Sequence, residues 1–300
     1  MIAARRRILV LLALVVALVV PPAGALAAAP TQAGTGTATL VGIRTSHHPG
    51  YDRMVFDFSG RLPAYRSVTW TKVLSYDASG KRAVVQGNAY LRVVLRYAVG
   101  HDAAGHSTYG PATRGFALPG YVQLRNLGDF EGVLTFGIGV SRRTYANVYT
   151  LTRPSRLVID LSTPYRTTSV RSYFQNSVNY RTGRTPYTTS VWRPVIPPAV
   201  ATGALQRLFA GPTVAEQARG LRLVASGATG FSYLSISGGV ARVRLTGTCA
   251  SGGSSYTIAD QLMPTLKQFR SVHWVKIYDS RGRTERPYGH SDSIPECLEP

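Results

Sequence analysis

Between residues 38 and 161, apolar and polar positions alternate with a period of two in several short runs. Met54, Phe56 and Phe58 fall on one face of a segment whose other face carries Asp57, and Ser59-Gly60 closes it with a turn. A half-buried strand requires this alternation, because successive side chains point to opposite faces. The same reading predicts strands over 39–43, 90–97, 133–140, 148–151 and 156–161, with a turn at Thr152-Arg153-Pro154-Ser155. In the second of these, Leu91, Val93 and Leu95 oppose Arg92, Val94 and Arg96. No stretch of this half has helical spacing. Short strands separated by turn residues predict an antiparallel β-sandwich or barrel.

A polar, proline-containing joint over 162–168 ends that pattern, and a mixed α/β pattern follows. Strands are predicted around Tyr173-Phe174 and over 188–192. After Pro197-Pro198, the residues Val200, Leu205, Leu208 and Phe209 recur at helical spacing, and Gly211-Pro212 stops the run. Residues 234–237 and 240–245 read as a hairpin around Gly238-Gly239. Thr257 is an N-cap for a second helix over 258–269, with Ile258, Leu262, Leu266 and Phe269 on its buried stripe, and 272–278 forms a last strand.

The first thirty residues place the chain outside the cytoplasm. Arg5, Arg6 and Arg7 precede an apolar run over 8–20, and Ala25-Leu26-Ala27 supplies the small-x-small pattern of a signal-peptide cleavage site. The run is too short to span a bilayer, for which about 20 residues are needed, so no transmembrane anchor is expected after cleavage. Cys249 and Cys297 are the only cysteines, and in an exported chain they most simply form one disulfide; two buried thiols are the alternative. The formal net charge is +20, of which the export segment contributes three arginines. That excess favours polyanions. Export directs the expectation away from nucleic acid and towards phosphate-rich wall polymers, acidic glycans and lipid headgroups.

Three segments carry a resemblance. His47-His48-Pro49-Gly50-Tyr51-Asp52-Arg53 leading into Met54, then Gly128-Asp129-Phe130-Glu131-Gly132, then Pro154-Ser155-Arg156-Leu157-Val158-Ile159-Asp160-Leu161 resemble the AMIN and AMIN-like domains of bacterial envelope proteins. Farther on, Ala204-Leu205-Gln206-Arg207-Leu208-Phe209-Ala210-Gly211-Pro212-Thr213, with the Gly238-Gly239 hairpin and the helix through Gln261, resembles the GerMN domain of sporulation and germination proteins. With the export segment, the resemblance gives a multi-domain chain: signal peptide 1–29, lead-in 30–37, β-sandwich 38–162, linker 163–170 and a small α/β (α+β) domain 171–300. It also implies that the first domain targets peptidoglycan or other envelope structures and that neither domain carries agreed catalytic residues.

The search for chemistry agrees with that implication. There is no H-E-x-x-H, no G-x-S-x-G elbow and no phosphate-cradling P-loop. His101, Asp102 and His106 lie close in sequence and read chiefly as loop polar residues, while Asp57 and Asp160 read as structural strand residues. The chain is therefore expected to be no enzyme, with no cofactor and no metal. Its candidate ligand-binding residues are His47, His48, Tyr51 and Arg53 on one edge, and the interleaved Arg171, Tyr173, Tyr180, Arg181, Arg184 and Tyr187 beyond the joint. Aromatic rings stack on sugar faces and guanidinium groups pair with phosphate or carboxylate. The expected role is wall-associated binding of peptidoglycan or anionic wall polymers, with other exported proteins as possible partners. A wall hydrolase with a cryptic carboxylate or metal site, or an assembly scaffold, is the alternative.

Overall fold

The computed structural model describes residues 36–300. The export segment and most of the lead-in lie outside them. Ten strands build the first module: β1 (Ala38–His48), β2 (Tyr51–Ser59), β3 (Tyr65–Thr71), β4 (Ala89–Arg96), β5 (Ala98–Val99), β6 (Thr113–Gly115), β7 (Tyr121–Phe130), β8 (Val133–Val140), β9 (Ala146–Thr152) and β10 (Ser155–Ser162). They form two five-stranded sheets, ordered β5-β1-β2-β10-β9 and β3-β4-β8-β7-β6. Every neighbouring pair is antiparallel except β1 and β5. The inward positions read from the alternation fill the space between the sheets. Met54, Phe56, Leu91, Val93, Leu95, Phe136, Ile138, Leu157, Ile159 and Leu161 make one buried cluster. This is a β-sandwich.

Two strands that simple alternation does not announce are β3 and β7. In β7 the register shifts twice against β8, between Tyr121 and Gln123 and between Asn126 and Gly128. Each shift inserts a residue, so the period of two is interrupted inside the strand.

The second module contains β11 (Thr168–Asn176), α1 (Ser177–Arg181), β12 (Thr188–Val195), α2 (Val200–Ala210), α3 (Val214–Ala218), β13 (Leu221–Arg222), β14 (Ala228–Ser237), β15 (Val240–Gly247), α4 (Ala259–Lys267) and β16 (Trp274–Tyr278). Its sheets are ordered β12-β11-β13 and β14-β15-β16. Strands β15 and β16 are parallel, with α4 between them in sequence, so this half is a small α/β unit. Leu205 and Leu208 of α2 meet Leu262 and Leu266 of α4 in a core that also takes Phe174, Val243, Leu245 and Ile277. Thr257 accepts from the Ala259 amide at 3.3 Å while Asp260 accepts from the Thr257 amide at 2.8 Å, which secures the start of α4. Cys249 and Cys297 form a disulfide.

The joint differs from the solvated linker expected over 163–170. Strand β11 already begins at Thr168, and Thr163 and Val170 are buried. The reason lies in α2, which packs on the sandwich as well as on its own module. Gly115 of β6 lies so close to α2 that a Cβ there would stand 2.3 Å from the Gly211 carbonyl oxygen. Only glycine permits that approach. Residues 36–300 therefore make one compact unit. Among the described residues, no helix is long and apolar enough to cross a membrane.

Candidate functional site

On β2 the odd-numbered side chains face away from the sandwich core, and cross-strand register brings matching residues of β1, β10 and β9 beside them. Arg53 stands opposite Ser46 on β1 and Asp160 on β10, and Asp160 stands opposite Asn147 on β9. The Arg53 guanidinium donates two bonds to the Asp160 carboxylate, at 2.7 and 2.8 Å. That bonding to Asp160 holds the guanidinium pKa above its ordinary value. The Arg53 cation also lies 5.3 Å from the Tyr51 ring centroid and 5.9 Å from that of Tyr149. The His48 imidazole stacks on Tyr51 at 4.7 Å, nearly parallel, and Tyr149 donates to Asp160 at 3.3 Å. Burial, then the Asp160 charge, raises the Tyr149 phenol pKa.

The row continues along the same face. Asp57 accepts from Arg44 at 2.6 and 3.0 Å and from Arg156 at 3.2 Å. Three arginines thus share two carboxylates on one sheet face, next to a run of three aromatic rings. Chemically the surface offers flat apolar rings for sugar faces and a cationic surplus for phosphate or carboxylate.

His47 does not join it. Its ring lies on the opposite side of β1, where Nδ1 stands 2.6 Å from the Asp52 carboxylate. Asp52 is fully buried and also accepts from the Gly120 amide at 2.5 Å, so the pair fastens the end of the sandwich. Adjacent residues in an extended strand point to opposite faces, which separates His47 from His48.

The second candidate set is divided in two. Arg171 and Tyr173 lie on the outward side of β11, and the Arg171 guanidinium covers the Trp192 ring of β12 at 4.8 Å. Trp192 is 59% exposed. Tyr180, Arg181, Arg184 and Tyr187 gather instead around α1, which follows the far end of β11. There Tyr180 makes edge contacts with Tyr187 at 5.5 Å and with Tyr256 at 5.9 Å. The Asn176 side chain caps α1 by accepting from the Val178 and Asn179 amides, both at 3.1 Å. Among the described residues, no carboxylate pairs with Arg171, Arg181 or Arg184.

Sequence reasoning overlooked Tyr149, Trp192 and Arg207. The first two sit in strands whose register alone brings them beside Arg53 and Arg171. Arg207 reads as one more polar position of a helix, yet it is 2% exposed. It donates to the carbonyls of Phe116 at 3.0 Å, Tyr121 at 2.8 Å, Leu118 at 2.7 Å and Pro119 at 3.3 Å, and to the Ser141 hydroxyl at 3.0 Å. Burial, then the Arg193 charge, pulls its pKa down to about 9. Arg193 is itself buried and makes a bidentate pair with Glu216, at 2.9 Å through Oε1 and closer still through Oε2.

Of the carboxylates of the first module, Asp57, Asp129 and Asp160 are engaged in pairs, whereas Glu131 is exposed and makes no ion pair among the described residues. Besides Asp57 and Asp160, Asp129 accepts from His101 at 2.8 Å, and Asp102 stands 3.5 Å from His106. Among the described residues, no three His, Cys, Asp or Glu side chains are grouped to hold a metal ion.

Two family models match the chain in succession. One, described as an AMIN-like domain, covers residues 38–163, and the other, Germane, described as sporulation and spore germination, covers residues 171–282. No curated protein and no solved structure matches it.

Proposed function

From a chain that carries an AMIN-like domain followed by a Germane domain, an order that fits a cell-envelope or spore-related module, we propose an exported, non-catalytic protein that binds peptidoglycan or anionic wall polymers. The binding surface is the outer face of β1, β2, β10 and β9. The observation that carries this reading is the grouping of His48, Tyr51, Arg53 and Tyr149 into one aromatic and cationic surface. The non-catalytic reading is supported by the engagement of Asp57 and Asp160 with arginines rather than with each other. A disulfide is compatible with an extracellular site of action.

The Germane domain supplies a second contact. Its exposed Trp192 under Arg171, and the Tyr180/Tyr187 group with Arg181 and Arg184, suit either the same polymers or another exported protein. Cosedimentation of the mature chain with purified sacculi, at low and at physiological salt, tests the reading. Binding that weakens with salt and is lost in Tyr51→Ala/Tyr149→Ala supports it. Absence of binding at both salt concentrations overturns it, and a protein partner of the Germane domain then becomes the alternative.

A further inference from the structure

Phe130 stands 73% exposed at the tip where β7 turns into β8. The two turn residues, Glu131 and Gly132, both have positive φ, 49° and 70°, as a two-residue hairpin turn of the primed type requires. From that tip the register runs straight across the sheet: Phe130 faces Val133, Val133 faces Arg96, and Arg96 faces Tyr65. Direct cross-strand partners share a face. The ends of four strands therefore carry one row of aromatic, aliphatic, cationic and aromatic side chains, and the Arg96 guanidinium lies 5.2 Å from the Tyr65 ring centroid.

Tyr97 stands beside this row, where the chain passes from one sheet of the sandwich to the other: a Cβ on Gly132 would lie 3.8 Å from the Tyr97 Cα. Its carbonyl accepts from the Ala38 amide at 2.8 Å, and the next amide, of Ala98, donates to the Gly132 carbonyl at 3.0 Å. Tyr97 is half exposed, and its φ is +58°, in the left-handed region that a bulky side chain seldom enters. Glycine would make that corner without strain. An exposed aromatic kept at a strained position points to a use outside the fold.

The same end of the sandwich is basic. Arg61 lies in the β2–β3 loop, Arg66 near the start of β3, Arg96 at the end of β4 and Arg153 in the β9–β10 turn. All four are exposed, and among the described residues none pairs with a carboxylate. Glu131 is the one carboxylate of these turns. The chain also enters here. A Cβ on Gly36 would lie 3.6 Å from the Arg61 guanidinium carbon, so residues 21–35 join this end to the apolar run over 8–20. The Germane domain packs at the opposite end, where Arg207 reaches the Tyr121 carbonyl and the Ser141 hydroxyl.

A second copy of the chain would bring the same four arginines against themselves. A phosphate-rich polymer would meet the arginines but leave Phe130 and Val133 with nothing apolar to cover them. An anionic lipid surface offers phosphate to the arginines, an interfacial layer to Tyr65 and Tyr97, and acyl chains to Phe130. We propose that this end of the sandwich rests on an anionic membrane surface, with Phe130 inserted at the headgroup boundary and the Germane domain held away from the lipid. The contact is separate from the outer face of β1, β2, β10 and β9 and does not depend on wall binding.

Cosedimentation of the mature chain with phosphatidylcholine vesicles, with and without an equal share of phosphatidylglycerol, tests the proposal. Binding to the mixed vesicles is expected, weaker at higher salt, with little binding to phosphatidylcholine alone. Phe130→Ser is expected to weaken it about tenfold and to leave Tm unchanged, because the ring is already in water. Tyr97→Gly should also weaken binding without lowering Tm, since glycine adopts the left-handed backbone freely. The indole introduced by Phe130→Trp should shift its emission to the blue on binding and be quenched by brominated lipid. The proposal is overturned if the mixed vesicles do not bind or if Phe130→Ser binds as the parent does. Quenching that falls on the parent's exposed Trp192 and spares the introduced indole would equally overturn it, by placing the lipid on another face. Phe130→Ser should still bind sacculi as the parent does, so lipid binding and wall binding are read apart.

Discussion

Glu216 shows how far a single side chain can be committed. Burial raises the pKa of its carboxyl group, but the Arg193 hydrogen bond and charge, with the Thr213 amide and hydroxyl, outweigh burial and hold it below the ordinary carboxylate range. The sign for stability follows directly. A carboxyl whose folded pKa is depressed contributes its full stabilisation above its unfolded pKa, and loses it as pH falls through the folded value. Acid unfolding should therefore draw in part on Glu216. Glu216→Ala leaves Arg193 buried without its partner, a change expected to cost about 3–5 kcal/mol. Chemical denaturation at neutral pH reads that loss, and the variant's stability should depend less on pH in the acid range. An unchanged acid profile would exclude Glu216 as a contributor.

At the scale of the element, the outer row of β2, β10 and β9 has charge pairs that modulate the cations they hold. Asp160 holds Arg53 by two hydrogen bonds, so Arg53 offers less of its charge to an incoming polymer. Asp160→Asn should free it. The expected outcome is tighter sacculus binding at low salt with a steeper salt dependence, and a stability loss of about 1 kcal/mol or less, because the pair is partly exposed. Weaker binding in this variant would mean that Asp160 itself contacts the ligand. The middles of the strands that build the row were legible from alternation, but the ends of β1 and β2 that carry His48, Tyr51 and Arg53 were not. Strand β7 was not, because its two register shifts break the period that sequence reading relies on. The same irregularity turns Asn126 and Asp129, three residues apart, to one side.

At the scale of the whole molecule, the two domains are locked through Arg207. Its donors satisfy four backbone carbonyls of the other domain, three in the turn leading into β7 and one at its first residue, Tyr121. Arg207→Met keeps the apolar stem but leaves those acceptors unmet, at about 1–3 kcal/mol for each one that water cannot reach. A single calorimetric transition is expected for the native chain, and two for the variant, since each domain has its own core. One transition in both would show that the packing of α2 suffices without the cation. Reduction of Cys249–Cys297 acts within the second domain only. The bridge links residues 48 apart, and its loss should cost about 2–4 kcal/mol, read in reductant as a lower Tm of the second of the two transitions of Arg207→Met.

Periodicity and turn residues determined by themselves that an antiparallel β module, sandwich or barrel, precedes a smaller α/β unit, and which side chains of the predicted strands face inward. Local spacing encodes a face because the backbone repeats every two or 3.6 residues. It does not encode a partner. Arg53 meets Asp160 across 107 positions of chain, and Arg207 meets the Tyr121 carbonyl across 86. Only the tertiary structure decided that β1 runs on through His47 and His48, that the basic joint is a packed seam, and that Arg207 is buried between the domains. Those outcomes depend on strand register and interdomain packing, which are set by the sum of many distant contacts and leave no mark on the local pattern.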